Sequence, residues 1–127
     1  MKILIVVDMQ KDFISGPLGT AESARSCPMW QEKAKNAPRE NLFVTLDTHQ
    51  PNYMETNEGR HLPVPHCIEG TEGHALDDAI ADAVDGIPAS RIICKPTSAR
   101  WRLWTRCALC TSRRRRSNLS AYALAFA

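Results

Sequence analysis

The side chains best suited to metal chemistry in this sequence are one aspartate and two histidines. Asp47 and His49 are two positions apart, so in an extended chain both point the same way, roughly 6–7 Å apart. His66 lies in the segment PVPHC (63–67), where two prolines stiffen the loop and would present a third ligand. Such a set suits Zn²⁺, Mn²⁺ or Fe²⁺, with positions left for water. The alternative, commoner on spacing alone, is that Asp47 caps a turn and both histidines lie on the surface.

Three further residues could act on a substrate. Asp8 follows an apolar run, and burial there would raise its pKa toward neutrality and make it a general base. It could equally cap the end of a strand. Lys95 could stabilise a developing negative charge, although a solvated lysine is the commoner case. Phe13 could flank a planar ligand, although such a residue is more often part of the core.

Apolar runs rich in β-branched residues predict the strands that would position these side chains. The runs cover residues 2–7, 41–46 and 91–94. Continuous apolar runs are typical of strands buried on both faces of a parallel sheet. Residues 75–84 place apolar side chains on one helical face and aspartates opposite, so strand, helix and strand predict a doubly wound α/β fold. Asp8, Asp47 and Lys95 each stand at the carboxyl end of a strand, where open α/β sheets place their sites.

Two segments do not fit this pattern. A crossover helix is due within 22–35, but residues 23–30 have no clean apolar stripe, and Pro28 would break a helix placed across it. After Thr97 the chain shows neither strand alternation nor a helical face with an acidic complement, so no element is assigned there. We therefore divide the chain into a domain over 1–97 and an aberrant arginine-rich tail over 98–127.

Composition restricts the classes of protein to which the chain can belong. Its 127 residues, 43% hydrophobic and 24% charged, are typical of a soluble globular domain. The net charge of +2 is the sum of unlike parts. Residues 1–97 hold all 14 acidic residues and 9 of the 16 basic ones, whereas 98–127 hold seven arginines and no acid. No apolar stretch approaches the roughly 20 residues that span a bilayer.

The cysteines predict a reducing environment. The N-terminal apolar run ends too early for a signal peptide, and the five cysteines show no framework spacing. In a chain without an export signal they are expected to be reduced thiols, which favours a cytoplasmic location. Cys67 and Cys94 are expected to be buried as small hydrophobic residues.

The motifs, taken in order, resemble one known superfamily. The segment DMQKDF (8–13) is similar to the D-x-Q-x-D-F opening of the isochorismatase-like cysteine hydrolases, which include the nicotinamidases. DTH (47–49) and PHCIEGTEG (65–73) are similar to the metal-site stretch of that superfamily, and KPT (95–97) to its lysine motif. Each motif is short, but the set stands in family order with family-like intervals over about residues 1–97. The resemblance implies a three-layer, Rossmann-like parallel sheet, incomplete at its C-terminal end.

The resemblance also implies roles for the candidate residues. Asp8 and Lys95 correspond to two members of a catalytic triad in which the aspartate activates a cysteine thiol, and Phe13 to a pocket aromatic residue. The corresponding metal ligands are Asp47, His49 and His66. In such enzymes a thiolate attacks an amide carbonyl, ammonia leaves, and water hydrolyses the thioester.

The retained metal set favours the nicotinamidase branch over the isochorismatases. The resemblance then implies a small amide such as nicotinamide as substrate, and a role in NAD salvage and pyridine nucleotide biosynthesis. It implies a divalent metal, with Zn²⁺ expected first and Mn²⁺ or Fe²⁺ as alternatives. A family-like homo-oligomer is among the expected assemblies.

The chain departs from the superfamily pattern at three places. Leu62 and Pro63 stand where an aromatic residue precedes the last metal-site histidine, which weakens the match to nicotinamide itself. A fourth ligand often follows His49 by a few residues, and Glu55 could serve. No nucleophilic cysteine is identifiable, because no G-x-x-T-D-x-C-V-like turn follows Lys95 at the family interval. We therefore expect an inactive amidase. The alternatives are a non-catalytic metal- or ligand-binding remnant, or an isochorismatase-like hydrolase of another small substrate.

The arginine-rich tail has two interpretations. Our hypothesis is that residues from about Ser98 are a frame-shifted translation of the original gene, because the composition changes abruptly after Thr97. The functional alternative is a basic nucleic-acid or membrane-surface arm, in which residues 113–116 could contact phosphates while Trp101, Trp104 and Tyr122 could stack on bases. The acidic remainder of the chain and the lack of a nucleic-acid fold motif count against that arm. We therefore expect neither nucleic acid nor membrane as a partner.

Overall fold

The computed structural model describes residues 2–96 and 120–124, which form a parallel β-sheet with helices. The strands are β1 (Lys2–Val7), β2 (Leu42–Asp47), β3 (Ile92–Lys95) and β4 (Ser120–Leu124). Their order across the sheet is β3-β2-β1-β4, and each neighbouring pair is parallel. The prediction of an α/β fold built on a parallel sheet is confirmed.

Four α-helices are described beside the sheet. They are α1 (Lys11–Ile14), α2 (Ala21–Asn36), α3 (Asn57–His61) and α4 (Asp78–Val84). The helix expected over 75–84 begins only at Asp78, because the Asp77 carboxylate caps it by accepting a hydrogen bond from the Ala79 amide at 3.1 Å. Among the described residues, no helix is both long and apolar enough to cross a membrane.

The hydrophobic core lies mainly between the sheet and the helices α2 and α4. Because strand side chains alternate between faces, β1 buries residues on both sides of the sheet. Val6 packs with residues of β2, α2 and α4, whereas Ile3, Ile5 and Val7 form a second cluster with Phe43. This confirms that β1 is buried on both faces, as its continuous apolar run predicted.

The prediction of burial is wrong for β3. Cys94 is exposed and Ile92 is 37% exposed, although Cys67 is fully buried as expected. The physical reason is position, because β3 is the edge strand of the described sheet and pairs only with β2 among the described strands. Its apolar run resembles that of a central strand, but composition alone does not show which strand ends the sheet.

The tail contributes one element that was not expected. β4 pairs with β1 in parallel register, from Lys2 opposite Ser120 to Val6 opposite Leu124. An unpaired strand edge presents free backbone donors and acceptors. Because these groups pair with any backbone, a segment whose side chains do not alternate as in a typical strand can still pair with that edge. The other residues on which the two interpretations of the tail depend, including Trp101, Trp104 and 113–116, lie outside the described residues.

The predicted break at Pro28 is also wrong. α2 runs without interruption from Ala21 to Asn36, with Pro28 in its interior. Pro28 is exposed, and so is Ala24, whose carbonyl would otherwise accept a hydrogen bond from residue 28. The opposite face buries Cys27 and Ala34 in the core. Tertiary burial on one face therefore outweighs a local defect that lies on the solvated face.

Replacing Pro28 with alanine is expected to raise the free energy of unfolding by about 1–2 kcal/mol. The change restores one helical hydrogen bond and removes the clash with the preceding turn, offset by the greater freedom of the unfolded chain. Urea denaturation measures the difference. Pro38→Ala is the matched control, because Pro38 lies outside the helix at a φ of −57° that suits proline. Equal effects of the two substitutions would contradict this account of α2.

Candidate active site

The carboxyl ends of β1, β2 and β3 place charged side chains next to one another. Asp47 and Lys95 are register partners at the ends of β2 and β3. Asp8 follows β1, and its amide donates to the Thr45 carbonyl of β2 at 3.0 Å. Asp8, Asp47 and Lys95 are all buried. The sheet edge predicted from the strand-end charges therefore collects two carboxylates and an ammonium group.

Asp8 and Lys95 form a buried ion pair. Lys95 Nζ donates to Asp8 Oδ2 at 2.5 Å, and Thr45 Oγ1 donates to Asp8 Oδ1 at 2.8 Å. Burial raises the pKa of Asp8 above its ordinary value, and the hydrogen bonds from Lys95 and Thr45 only partly offset this. Asp8 also has a φ of 52°, a left-handed conformation that aspartate tolerates better than most residues. The result is an oriented carboxylate with an increased tendency to accept a proton.

A second cluster brings together four groups that can bind metal. The ligand atoms of Asp47, His49, Glu58 and His66 all lie within 4.8 Å of one another. Asp47 Oδ2 is 3.2 Å from His49 Nε2 and 3.7 Å from His66 Nε2. Asp47 and the two histidines are buried, and Glu58 is half-buried. Two imidazole nitrogens with two carboxylates form a donor set that suits Zn²⁺ and other divalent transition metals.

The orientation of His66 leaves its ligating nitrogen directed at this cluster. His66 Nδ1 donates to the Val64 carbonyl at 2.8 Å, which directs Nε2 toward Asp47. Holding the second ring nitrogen on a carbonyl is the usual way in which proteins select the tautomer of a metal-binding histidine. Burial lowers the pKa of His66, but the hydrogen bonds to Asp47 and Val64 outweigh it and raise the pKa overall. The cluster therefore favours a positive charge at its centre.

Aromatic rings hold the two imidazoles in place. The ring of Tyr53 lies 4.6 Å from that of His49 and 5.0 Å from that of His66, measured between centroids. Tyr53 is buried, and its hydroxyl donates to the Leu62 carbonyl at 2.9 Å. Phe13 packs edge-on against His66 at 5.4 Å. The structure thus places Phe13 beside the candidate metal-binding cluster, and adds Tyr53, which no sequence motif indicated.

The fourth candidate ligand is Glu58, not the Glu55 that was expected. Glu55 ends a short 3₁₀ turn and is exposed. The Thr56 side chain then caps α3 by accepting a hydrogen bond from the Gly59 amide at 3.0 Å. The new helix turns Glu58 back toward the histidines. The signal was present in the sequence, because a threonine followed by an acidic residue two positions later is typical of a helix start.

The buried thiols of the described residues are poorly suited to act as nucleophiles. Burial raises the pKa of Cys67, and nearby carboxylates, Asp47 first among them, add to the effect. Burial and a hydrogen bond to Asp77 raise the pKa of Cys27 to about 11. Because the thiolate is the reactive form, both groups are largely unreactive near neutral pH.

The Cys67 turn is instead a structural element. Cys67 has a φ of 48°, and its amide donates to Asp12 Oδ2 at 2.7 Å. The same carboxylate lies where a side chain at Gly73 would begin, since a Cβ there would be 2.2 Å from both oxygens. Asp12 therefore anchors the turn that follows His66 and requires a glycine beside it.

Comparisons with known proteins agree on one family. A family model described as the isochorismatase domain matches residues 2–96. The crystal structure of the pyrazinamidase of Pyrococcus horikoshii in complex with zinc is 29% identical, with a TM-score of 0.54, and the match covers 76% of this chain and 52% of that one. The yeast nicotinamidase bound to the inhibitor nicotinaldehyde is 28% identical, with a TM-score of 0.58, covering 77% and 58%.

A third structure shares the fold at lower identity. N-carbamoylsarcosine amidase from Thermoplasma acidophilum is 20% identical, with a TM-score of 0.57, and the match covers 84% of this chain and 61% of that one. The chain thus spans about half to three fifths of the length of these solved structures. No curated protein sequence matches the chain at a significant level.

Proposed function

Because the chain belongs to the isochorismatase domain family, we propose that it carries the metal-binding and acid–base parts of a cysteine amidohydrolase for nicotinamide or a similar small amide. The single observation that supports this most strongly is the convergence of two clusters at one sheet edge. One is the buried pair of Asp8 and Lys95. The other is the four-residue group of Asp47, His49, Glu58 and His66. Enzymes commonly shift pKa values at such sites, and the Asp8 carboxyl has a raised pKa.

The four-residue group fits a divalent cation, with Zn²⁺ as the first expectation. Its donors are two imidazole nitrogens and two carboxylates, and His66 is held by the Val64 carbonyl in the orientation that a metal ligand needs. When bound, the metal would supply a Lewis acid that orients a polar group of the substrate and ordered water. Phe13, which packs on His66, would provide an apolar surface for a planar ring.

The chemistry proposed for this chain's own residues is proton transfer at Asp8. Asp8 accepts the proton of a thiol, and the thiolate forms a carbon–sulfur bond with the amide carbonyl carbon. Asp8 then returns the proton to the amide nitrogen as the carbon–nitrogen bond breaks and ammonia leaves. Water hydrolyses the thioester to the acid and regenerates the thiol. Lys95 holds the Asp8 carboxylate in place and stabilises the negative charge that develops beside it.

We further propose that the 127-residue chain binds metal but does not complete this reaction. The raised pKa values of Cys27 and Cys67 support the proposal, because neither thiol ionises readily. Cys107 and Cys110 do not stand in a nucleophile motif. These observations favour a chain that has the acid–base pair and the metal ligands but lacks a suitable nucleophile. The second candidate function is therefore a non-catalytic metal- or ligand-binding remnant.

Two measurements on the full chain test the proposed function. Titration with Zn²⁺ is expected to show one bound ion per chain, and incubation of the loaded chain with nicotinamide is expected to release no ammonia above background. Ligand-observed NMR then reports whether nicotinamide binds when Zn²⁺ is present. Ammonia release that disappears in Asp8→Asn would support the amidase and contradict the proposed inactivity. Failure to bind Zn²⁺ or any related metal would contradict the metal centre itself.

The division of the chain near residue 97 is likewise a proposal. The family match ends at residue 96, which supports a boundary there. The coding DNA through the stop codon tests the frame-shift hypothesis for 98–127. If the alternative frames of that DNA encode no family-like continuation, the hypothesis fails.

A further inference from the structure

Gln10 is a buried polar residue beside the end of β2, and both its amide nitrogen and its amide oxygen are hydrogen-bonded. Its exposed fraction is 0%. Gln10 Nε2 donates to the Asp47 carbonyl and to the His74 carbonyl, both at 2.8 Å. Gln10 Oε1 accepts from the Asp47 amide at 2.7 Å. A buried amide with three short hydrogen bonds to backbone has a defined orientation and imposes one on its partners.

These bonds continue the sheet beyond the point at which β1 leaves it. The last register pair between β1 and β2 is Val7 opposite Thr45. The chain then turns at Asp8, where φ is positive, so no β1 backbone remains to pair with Asp47. The Gln10 side chain bonds both the amide and the carbonyl of Asp47, as the backbone of a neighbouring strand would. The end of β2 is therefore held by a side chain.

The Gln10 side chain also connects the segment 47–49, which carries two of the candidate metal ligands, to the turn at residues 72–74. Besides the bond from Gln10 to the His74 carbonyl, His74 Nε2 is hydrogen-bonded to Thr48 Oγ1 at 2.8 Å. Thr48 lies between Asp47 and His49, so both sides of the segment are restrained. Small rotations of this backbone would move the Asp47 carboxylate and the His49 imidazole relative to His66.

We propose that Gln10 is a positioning residue for the metal centre, which acts through the backbone of Asp47 without contacting the metal. The inference rests on the proposed function, because it presumes that the four-residue group binds a divalent cation. Groups that orient metal ligands from behind typically change metal affinity about 10–100-fold when they are removed. Gln10 differs from the usual case only in holding the ligand's main chain instead of its side chain.

Gln10→Met tests this inference because it keeps the volume and removes all three hydrogen bonds. We expect the affinity for Zn²⁺, measured by competition with a chromophoric chelator, to fall about 10–100-fold. We also expect the absorption spectrum of bound Co²⁺ to change, since it reports ligand geometry. The matched control is Gln50→Met, because Gln50 is an exposed neighbour whose side chain donates to Glu69, and its replacement should leave both readouts unchanged.

The outcomes separate this inference from the proposed function. Wild-type affinity and spectrum in a folded Gln10→Met chain would overturn the inference, even if its melting temperature fell, because the role would then be purely structural. If Gln10→Met does not fold, Gln10→Glu keeps the shape and the acceptor but loses the amide donors, and the same criteria apply. Failure of both variants to fold would also overturn a role confined to positioning. A wild-type chain that binds no metal would overturn the proposed metal centre first.

Discussion

Replacing His66 with alanine is expected to lower the affinity of the chain for Zn²⁺ by more than about 100-fold. This loss exceeds the one that follows removal of a residue that only orients a metal ligand. His66 is buried and directs Nε2 at Asp47 Oδ2, and its tautomer is selected by the Val64 carbonyl. The variant keeps the carboxylates but removes one of the two nitrogen donors. Isothermal titration in a metal-free buffer, with chelator competition for tight binding, measures the difference.

The same substitution removes the stabilisation that metal binding gives to the folded state. A ligand that binds only the folded state at about 100 times its Kd adds about 2.7 kcal/mol to the free energy of unfolding. We therefore expect Zn²⁺ to raise the melting temperature of the wild-type chain and to have little effect on His66→Ala. His61→Ala is the matched control, because His61 is an exposed histidine of α3 that contacts the Asn57 carbonyl. Equal losses in both variants would indicate non-specific binding to surface histidines and would contradict the proposed centre.

Replacing Lys95 with methionine is expected to destabilise the fold by about 3–5 kcal/mol near neutral pH. The substitution leaves Asp8 buried and without its opposite charge, and breaking one side of a buried pair carries that cost. The ammonium group accounts for the 2.5 Å hydrogen bond to Asp8 Oδ2, and only the Thr45 hydroxyl remains on the other oxygen. Urea denaturation over a range of pH measures the effect.

The sign of the pH dependence follows from the raised pKa of Asp8 in the folded chain. A carboxyl whose folded pKa is above its unfolded pKa favours folding most at low pH, and this contribution is lost as pH rises through the folded pKa. Lys95 lowers the pKa of Asp8, so its removal raises that pKa further. The pH range over which Asp8 is protonated in the folded chain then extends to higher pH. The cost of Lys95→Met should therefore be larger at about pH 8 than at about pH 5.

Two comparisons make this prediction specific. The double variant Asp8→Asn with Lys95→Met removes both charges and should recover much of the stability that the single variant loses. Lys35→Met is the matched control, because Lys35 is exposed near the end of α2 and should have little effect. A cost that is independent of pH, or a double variant no more stable than Lys95→Met, would show that the buried pair does not carry the effect.

Much of the fold could be predicted because it depends on local pattern. The apolar run of β1 and the charged residues at three strand ends follow from residues adjacent in sequence, and they placed Asp8, Asp47 and Lys95 at one edge. The two-residue spacing of Asp47 and His49 likewise put both side chains on one side of an extended segment. These features needed no knowledge of what packs against them.

The features that could not be predicted depend on contacts between distant segments. Burial on one face of α2 overrides Pro28, and the edge position of β3 exposes Cys94. Glu58 replaces Glu55 because a new helix begins at Asn57 and turns it toward the histidines. For Pro28 and Cys94 the local preference was identified correctly, but a neighbour across the fold decided the outcome. The start of α3 has a local signal at Thr56, whereas the approach of Glu58 to the histidines depends on the fold.

The sequence by itself determined the residue types of the site and their order along parallel strands, because strand periodicity and strand-end positions are local properties. Only the tertiary structure decided that Lys95 donates to Asp8 across 87 residues, and that Gln10 holds the backbone of Asp47 across 37. Such bonds depend on where the chain leaves the sheet and on which groups are buried together. Because an unsatisfied buried polar group is costly, the packed fold selects partners that no local pattern contains.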